Sequence, residues 1–297
     1  MTDIAAINYQ PLDAMKNSWW HTVKSSFKGK GLIVAILVIA ASIALLFLGG
    51  VGIYLFVGYA LYIGWQVQKY QDQIWRSFAA ANGWTVDIGV PDLTLISPSL
   101  NDGHSQKLSP VIQASVNSLS LNLFSYICTT GSGRYSQDHY FTVAMVTLPK
   151  SLPHMLLLSK KVRVDARANL DNHEKLQLEG DFGNYFELQI EKGQEINVLS
   201  IITPDVMQAL VNNNQSEDVE IFNNYLYFIL RNDKRDSVSV QALINSVNGL
   251  SDEIIQNINH GTPAQSQLAT PNVAPSAAAD PTSQAPNTGR AQEDRLE

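Results

Sequence analysis

Cysteine and charge are both scarce in this sequence of 297 residues. Its one cysteine, Cys128, cannot form a disulfide within the chain, which is compatible with a reducing compartment. Only 16% of the residues are charged, and the formal net charge is −7. Nucleic-acid binding needs a basic surface to hold phosphates, so we expect no nucleic acid among the partners of this protein.

Charge is absent altogether from one long stretch, Gly31 to Trp65. As a single helix rising ~1.5 Å per residue, this stretch would extend roughly 50 Å, whereas the hydrocarbon core of a bilayer is only ~30 Å thick. Two shorter helices fit that thickness better. The sequence therefore predicts a transmembrane hairpin over residues 31–67 with its turn at residues 49–52. The turn residues, which tolerate backbone conformations that others avoid, are Gly49, Gly50 and Gly52.

A hairpin and a single span place the rest of the chain on opposite sides of the membrane. Three lysines precede the apolar stretch, and Lys69 and Arg76 follow it. Because cytoplasmic flanks are enriched in Lys and Arg, positive charge on both sides favours a multi-pass protein of the cell membrane with both termini and the domain in the cytoplasm. A single span stays open as the alternative, since Asp72 dilutes the second flank, and it would place the domain outside.

Residues 1–30 are predicted to form a basic, amphipathic segment. Its apolar residues recur at steps of three and four, from Leu12 to Phe27, as one face of a helix does. We expect this face to lie in the headgroup layer of a lipid bilayer; the alternative is a helix packed on the domain that follows. The predicted membrane-interface residues are Trp19, Trp20, Lys24, Lys28, Lys30, Tyr62 and Trp65.

Residues 68–258 are predicted to form an α+β domain in which an antiparallel sheet carries helices on one face. The stretch "SLSLNLFSYIC" alternates up to Leu123 and then shifts its phase to Phe124, which predicts a bulge or a strong twist. "YFELQIEK" alternates as a half-solvated strand does. Asn223-Asn224, between two β-rich runs, predicts a two-residue hairpin turn.

Two helices complete the predicted domain. In "TPDVMQALVNNN", Thr203 is the expected N-cap and Pro204 the expected first-turn residue. The second helix, about Ser237 to Ile258, shows a continuous apolar stripe. Beyond it, residues 259–297 are rich in Pro, Ala, Gln, Ser and Thr and have almost no aliphatic bulk. Since such a composition cannot bury a core, we predict a disordered tail.

No catalytic, cofactor-binding or metal-binding motif stands out in the sequence. The domain histidines lack the spacing of zinc ligands, so only a zinc site assembled by folding is left open. "TTGSGR" precedes a strand rather than a helix, which favours a hairpin turn over a phosphate loop. Cys128 lies in an apolar strand and is interpreted as a core thiol. We therefore predict no catalytic residue, no metal and no cofactor.

Four motifs bear on the kind of protein this is. They are "FAAANGW" (Phe78 to Trp84), "LPKSLPH" (Leu148 to His154), "GDFGNYF" (Gly180 to Phe186) and "TPDVMQAL" (Thr203 to Leu210). On these motifs the sequence resembles a group of uncharacterised bacterial membrane-anchored proteins, over roughly Ile53 to Ile258. The resemblance implies a short transmembrane hairpin followed by one α+β domain, and it supplies no catalytic residues. The two prolines of "LPKSLPH" predict a strand that ends in a rigid turn.

Two functions are compatible with the sequence. The first is a non-enzymatic interaction or scaffold protein, held at the lipid bilayer, whose domain binds a protein or lipid partner or forms a homo-oligomer. The second is an enzyme that acts on a lipid or envelope precursor at the bilayer surface. The enzyme requires an enclosed polar pocket in which reactive side chains converge. The side chains available for it are His104, His139, His154 and Asp181.

Overall fold

The computed structural model describes residues 3–26, 30–46, 52–87, 96–101, 103–108, 110–161, 170, 172–178, 180–213, 215–232 and 234–260. The chain opens with two 3₁₀ helices, Ile4–Ala6 and Gln10–Asn17. The regular elements follow in the order α1 (Ser18–Ser26), α2 (Lys30–Leu46), α3 (Gly52–Ala81), β1 (Thr85–Asp87), β2 (His104–Leu108), β3 (Val111–Val116), β4 (Leu119–Thr130), β5 (Gln137–Ser159), β6 (His173–Leu176), α4 (Phe182–Tyr185), β7 (Phe186–Glu191), α5 (Glu195–Leu199), α6 (Pro204–Asn213), β8 (Asp218–Arg231) and α7 (Ser237–His260).

One antiparallel sheet of eight described strands organises the domain. Its main path is β1-β3-β4-β5-β7-β6, with β2 paired to β4 and β8 paired to β5. The long strand β5 is the centre of the sheet, because β4 and β7 pair with it in succession and β8 pairs with it over most of its length. The predicted α+β class with an antiparallel sheet is confirmed.

The helices pack on one face of this sheet and enclose the larger core. Its members come mainly from α3, α5, α6 and α7 and from the strand residues that point toward them, and Leu12 of the second 3₁₀ helix and Phe182 of α4 belong to it too. The stripe of α7 is buried as predicted, and it consists of Val240, Leu243, Val247, Leu250, Ile254 and Ile258. Thr203 also caps α6 as predicted, since its hydroxyl accepts a hydrogen bond from the Val206 backbone N–H at 3.5 Å.

A second core covers the other face of the sheet, and it explains the phase shift in β4. Leu121 and Leu123 belong to the larger core, whereas Phe124 and Tyr126 point to the opposite face and pack with Leu100 of the 3₁₀ helix Pro98–Leu100. The register of β4 with β5 runs without interruption from Leu121 to Thr130, so the predicted bulge is wrong here. The apolar residues change faces because each face has its own core.

The bulge lies elsewhere, where two predicted turns meet. Neither "LPKSLPH" nor Asn223-Asn224 ends a strand: β5 and β8 both continue, and their register shifts between Thr147 and Met155. Asn223 has the positive φ, 56°, that suggested a hairpin. Across this point, the residues of β5 that face the larger core change from even to odd numbers, and those of β8 change from odd to even numbers. The irregularity therefore keeps one face of each strand on the core, as β-bulges do.

The first helical segments are continuous with this domain. Helix α3 runs unbroken from Gly52 to Ala81, so the predicted boundary at residues 67–68 falls inside a helix. Its last turns bury Trp75 and Phe78, while Ala81, its last residue, is exposed. The helix ends before Gly83, whose φ of 68° is that of a helix C-terminal glycine. Residues 3–260 fall within one compact unit, and the predicted tail lies outside the described residues from 261 onward.

Candidate functional site

Helix α2 exposes apolar side chains around almost its whole circumference. Seven large apolar side chains are exposed: Leu32, Ile33, Val34, Ile36, Leu37, Ile39 and Ile43. Between Leu32 and Ile43 only Ala35 and Ser42 are buried. A helix that is apolar all round is normally enclosed by protein or by lipid. Within the described part of the chain, no protein encloses α2.

The buried side chains described on α2 are small. Ala35 and Ser42 lie seven residues apart, on the same stripe of α2, and α2 packs against α3. The Ser42 hydroxyl donates to the backbone carbonyl of Val38 at 2.7 Å, so its polar group is satisfied within the helix. Small residues that let two backbones approach closely are typical of helix pairs in membranes.

Helix α3 divides into two halves with opposite environments. In the first half the exposed apolar side chains are Ile53, Tyr54, Leu55, Val57, Leu61, Tyr62 and Trp65. In the last turns Ile74, Trp75, Phe78 and Ala79 are buried in the larger core. The helix thus emerges from the domain and continues as one arm of an exposed apolar pair with α2.

The N-terminal segment fixes this pair to the domain. Leu12 is fully buried in the larger core, and Gln71 of α3 donates to the Ser18 hydroxyl of α1 at 3.1 Å. Arg235, before α7, donates to the Gln71 side-chain oxygen at 3.0 Å. The apolar face that begins at Leu12 is therefore divided. Its start packs on the domain, as the alternative interpretation of the sequence expected. Trp19 and Trp20 of α1 are exposed.

The predicted interface residues gather at the base of the helical pair, where the structure describes them. Trp19, Trp20 and Lys24 are exposed on α1, and Tyr62 and Trp65 are exposed on α3. The Lys69 ammonium, which the prediction left out, lies 3.6 Å from the centre of the Trp65 ring. Lys30 and Gly52 are the first residues of α2 and α3, so Gly52 is already helical. Lys28, Gly49 and Gly50 lie outside the described residues.

Among the helices that the structure describes, none combines the length and the apolar character needed to cross a bilayer.

A buried polar cluster lies on the second face of the sheet, beside the bulge. The Glu220 carboxylate, fully buried, accepts hydrogen bonds from the Ser99 backbone N–H at 3.3 Å, from the Ser99 hydroxyl and from His154 Nε2–H at 2.8 Å. Because a carboxylate only accepts, His154 Nε2 is the donor in that bond. On the other side of the ring, His154 Nδ1 and His173 Nε2 share a hydrogen bond at 3.0 Å. The cluster joins the 3₁₀ helix at residue 98, the bulge and the start of β6.

This cluster does not have the order of a nucleophilic triad. In a triad the histidine bonds to the serine and the carboxylate orients the histidine. Here Glu220 lies between Ser99 and His154, so the histidine bonds to the carboxylate and not to the serine hydroxyl. The arrangement satisfies a buried carboxylate and holds three segments together. Sequence reasoning noted His154 and His173 but not Glu220, because Glu220 is far from both in the chain.

The four side chains required by the enzyme alternative do not converge among the described residues. His139 bonds to the Thr130 hydroxyl at 2.8 Å and lies opposite Cys128 on the neighbouring strand. His104 lies opposite Thr129, on the other edge of β4. Asp181 is exposed and precedes α4. No group of three or more His, Cys, Asp or Glu side chains in the described part of the chain is arranged to hold a metal ion.

Two cavities flank Phe182, away from the polar cluster. One, of about 270 Å³, lies between β6, α4 and β7 and is lined by Lys160, Lys175 and Leu188 among others. The other, of about 310 Å³, lies between α4 and α6. The Lys175 ammonium pairs with Glu187 at 2.9 Å, and Lys160 donates to the Gly183 carbonyl. Neither cavity is lined by His154 or Glu220.

A buried carboxyl without a full set of partners lies at the start of β8. Glu217 is almost completely buried, and its Oε2 has no hydrogen-bond partner among the described residues. Burial raises the pKa of Glu217 to about 7, against an ordinary value of 4.5. Its neighbour Asp218 is held differently, because Arg231 donates to it at 2.7 Å.

Comparison with known proteins identifies neither a family nor a function. No family model matches the chain, and no curated protein matches it. A similar solved structure is the crystal structure of the mycobacterial trehalose monomycolate transport factor A. It has a TM-score of 0.45 and 10% sequence identity, and the match covers 60% of this chain and 91% of that one. A likeness at this level establishes neither a shared fold nor a shared function.

Proposed function

We propose that this protein is a non-enzymatic, membrane-anchored interaction or scaffold protein. In this proposal α2 and the first half of α3 form a hairpin in the lipid bilayer, and the α+β domain is held at the membrane surface. The observation that carries the proposal is the exposure of apolar side chains all round α2, combined with the absence of charge from Gly31 to Trp65.

Water is an unfavourable environment for this surface. Full burial of one large apolar side chain is worth ~1.5–3 kcal/mol. Fourteen such side chains are partly exposed on the two helices, so their transfer to hydrocarbon is worth on the order of 10 kcal/mol or more. Soluble monomers rarely expose a continuous apolar patch of this extent. A stable association that removes the patch from water is therefore strongly favoured.

The shape of the surface favours lipid over a protein partner. A protein interface usually covers one face of a helix and leaves a polar face in water. On α2 the apolar side chains surround the helix, and Tyr62 and Trp65 of α3 lie at the domain end of the apolar half, where interfacial aromatic residues are expected. Each arm is ~25 Å long at the usual helical rise, close to the thickness of a bilayer core.

The anchor positions the domain rather than merely tethering it. Helix α3 passes from the apolar pair into the larger core without a break, and Arg235, Gln71 and Ser18 join the domain, α3 and α1 through hydrogen bonds. A partner of the domain would therefore meet it at a fixed height and orientation above the bilayer. That suits a scaffold, and the resemblance to membrane-anchored bacterial proteins agrees with it.

Sidedness tests the anchor most simply. In the hairpin topology a thiol at Gly50→Cys reacts with a membrane-impermeant maleimide in intact cells, whereas Ser283→Cys in the tail reacts only after lysis. The unsubstituted chain is the matched control, because its only thiol, Cys128, is buried and should react only after denaturation.

Two other outcomes would contradict the proposal in different ways. Labelling of the tail in intact cells would establish a single span with the domain outside. Recovery of the protein in the soluble fraction after alkaline washing, without detergent, would show that the protein has no membrane anchor.

A further inference from the structure

We infer that the base of the helical pair is a binding site for anionic phospholipid headgroups, built jointly by α1 and α3. The inference rests on the proposed membrane anchorage and names the lipid that the anchor selects. The site is the aromatic–lysine collar, defined here as Trp19, Trp20, Lys24, Tyr62, Trp65 and Lys69.

Helix packing brings the two parts of the collar together. His21 of α1 stacks on Tyr70 of α3, with ring centres 4.8 Å apart and an angle of 11° between the rings. The hydrogen bond from Gln71 of α3 to Ser18 of α1 joins the two helices close to this ring contact. Trp65 lies five residues before Tyr70, which is ~7.5 Å toward the apolar half of α3. The collar therefore lies where the domain ends and the apolar surface begins.

The two lysines are the cations of this boundary. The Lys69 ammonium lies over the Trp65 ring, so its side chain extends toward the apolar half, as side chains on a helix lean toward its N-terminus. Lys24 is exposed in the last turn of α1. Within the described residues, no carboxylate forms an ion pair with Lys24 or Lys69.

The neighbouring acidic groups already have partners. Asp72 faces Arg235, whose Nη1 is 4.0 Å from its Oδ1, and Asp13 accepts a hydrogen bond from the Ser237 hydroxyl. Asp236 is close enough to Lys16 for the two charges to attract. Asp72 also accepts a hydrogen bond from Gln68 at 3.3 Å. These acids are thus engaged by other groups, while Lys24 and Lys69 are the cations of the collar.

Local charge is what makes the inference specific. The whole chain carries a net charge of −7, so an anionic membrane repels it overall. A preference for anionic lipid therefore needs a local cluster of positive charge, and within the described residues the collar supplies one with Lys24 and Lys69. Lysine near an anionic headgroup layer strengthens binding by about fivefold per residue, and Trp and Tyr occupy the same layer. The adjoining apolar residue Leu61 places acyl chains directly beside the site, which favours a lipid phosphate over a free one.

Quenching of tryptophan fluorescence by brominated lipid tests the site in the full chain. The protein is reconstituted into phosphatidylcholine vesicles in which a minor, equal fraction is either brominated phosphatidylglycerol or brominated phosphatidylcholine. Trp19, Trp20 and Trp65 are exposed and Trp75 and Trp84 are buried in the domain, so quenching reports on the collar. We expect phosphatidylglycerol to quench several-fold more effectively than an equal fraction of phosphatidylcholine, and high salt to reduce the difference.

A double substitution assigns the effect to the two lysines. Lys24→Gln with Lys69→Gln should bring the two brominated lipids to equal quenching. The matched control, Lys107→Gln with Lys192→Gln, makes the same change in net charge at exposed positions on β2 and after β7, and it should keep the preference.

The outcomes separate this inference from the anchor. Equal quenching by both lipids in the unsubstituted protein, or a preference that survives the collar substitutions, would overturn the headgroup site and leave the anchor intact. Loss of the preference when inorganic phosphate replaces chloride at equal ionic strength would also overturn it, since the site would then bind free phosphate. Absence of quenching by either lipid would contradict the membrane anchor itself.

Discussion

Helices α2 and α7 are both rich in aliphatic residues, yet the chain treats them in opposite ways. Helix α7 confines its large apolar residues largely to one stripe and buries that stripe on the sheet. Its opposite side exposes Gln241, Asn245, Asp252 and Gln256. Between Leu32 and Ile43, helix α2 carries apolar residues on every side and buries only the small residues Ala35 and Ser42. The packing of α7 is complete within the described domain, and that of α2 is not.

The distribution of apolar residues around each helix reflects the environment to which that helix is suited. An apolar stripe on one side is adapted to a boundary between protein and water, and an apolar surface on all sides is adapted to an environment without water. Leu37 on α2 and Val238 on α7 have nearly equal exposed fractions, 62% and 63%. In our account the first of these side chains faces lipid and the second faces water.

Substitutions in the two halves of α3 should show the largest difference, which is in their effect on the stability of the domain. Phe78→Ala removes a fully buried ring that meets the Trp84 ring edge-on at 5.2 Å, and we expect it to lower the free energy of unfolding by about 3–5 kcal/mol. Tyr54→Ala, in the exposed half of the same helix, should change it by less than about 0.5 kcal/mol. Denaturant unfolding followed by tryptophan fluorescence measures both. Equal effects would mean that α3 is one structural environment.

A charge introduced at Leu37 or at Val238 should show which of these positions faces lipid and which faces water. Leu37→Arg lies near the middle of α2, where an arginine in hydrocarbon costs ~3 kcal/mol, so we expect a large loss of membrane-inserted protein. Val238→Arg should leave insertion unchanged. The fraction that resists alkaline washing of membranes is the measurement. If both variants remain fully inserted, Leu37 does not face the acyl chains.

The ionisation of a buried carboxyl, Glu217, should make the stability of the domain depend on pH. The unfolded chain releases the Glu217 proton above about pH 4.5, whereas the folded protein keeps it until about pH 7. The folded state thus binds more protons in this window, and its stability falls by up to about 3 kcal/mol as the pH rises through it. Glu217→Gln should remove that loss and make the protein more stable than the unsubstituted chain at pH 8.

The control for this titration is Asp252→Asn, which converts an exposed carboxyl of α7 to an amide. Urea unfolding at pH 4, 6 and 8 supplies the slopes. A Glu217→Gln variant whose stability follows the same pH curve as the unsubstituted protein would show that Glu217 ionises normally in the folded state.

The smallest expected effect concerns the contact within the helical pair. Ala35→Leu introduces a large side chain between α2 and α3, and we expect it to destabilise the pair by about 1 kcal/mol. Ala41→Leu, at an exposed position of α2, is the matched control and should be neutral. Thermal unfolding in detergent, followed by helical circular dichroism, distinguishes them. The reverse ranking would place the α2–α3 contact on another stripe.

Local patterns predicted those elements whose cause is local. The N-cap Thr203, the apolar stripe of α7 and the alternation of Phe186, Leu188 and Ile190 in β7 were all correct, because each follows from neighbours in the chain. Asn223 was correctly expected to adopt a positive φ. Whether that conformation makes a hairpin or a bulge depends on the distant partner strand, which the sequence does not reveal.

Most residues of the candidate site, though not Lys69, were predictable from the sequence, but their assembly was not. Trp19 and Trp65 were chosen by residue type and by position beside an uncharged stretch. Their joining into one collar depends on the contact of His21 with Tyr70, which is a result of tertiary packing. The cluster of His154, His173 and Glu220 was missed for the same reason, since only the sheet register brings these residues together.

The most direct test of the account compares the solvent at the two equally exposed positions. Spin labels at Leu37→Cys and Val238→Cys, in protein reconstituted into vesicles, can be relaxed either by oxygen, which concentrates in hydrocarbon, or by a water-soluble nickel chelate. The account predicts that oxygen dominates at position 37 and the nickel chelate at position 238. Strong relaxation by the nickel chelate at position 37 would show that α2 faces water and would contradict the membrane anchor.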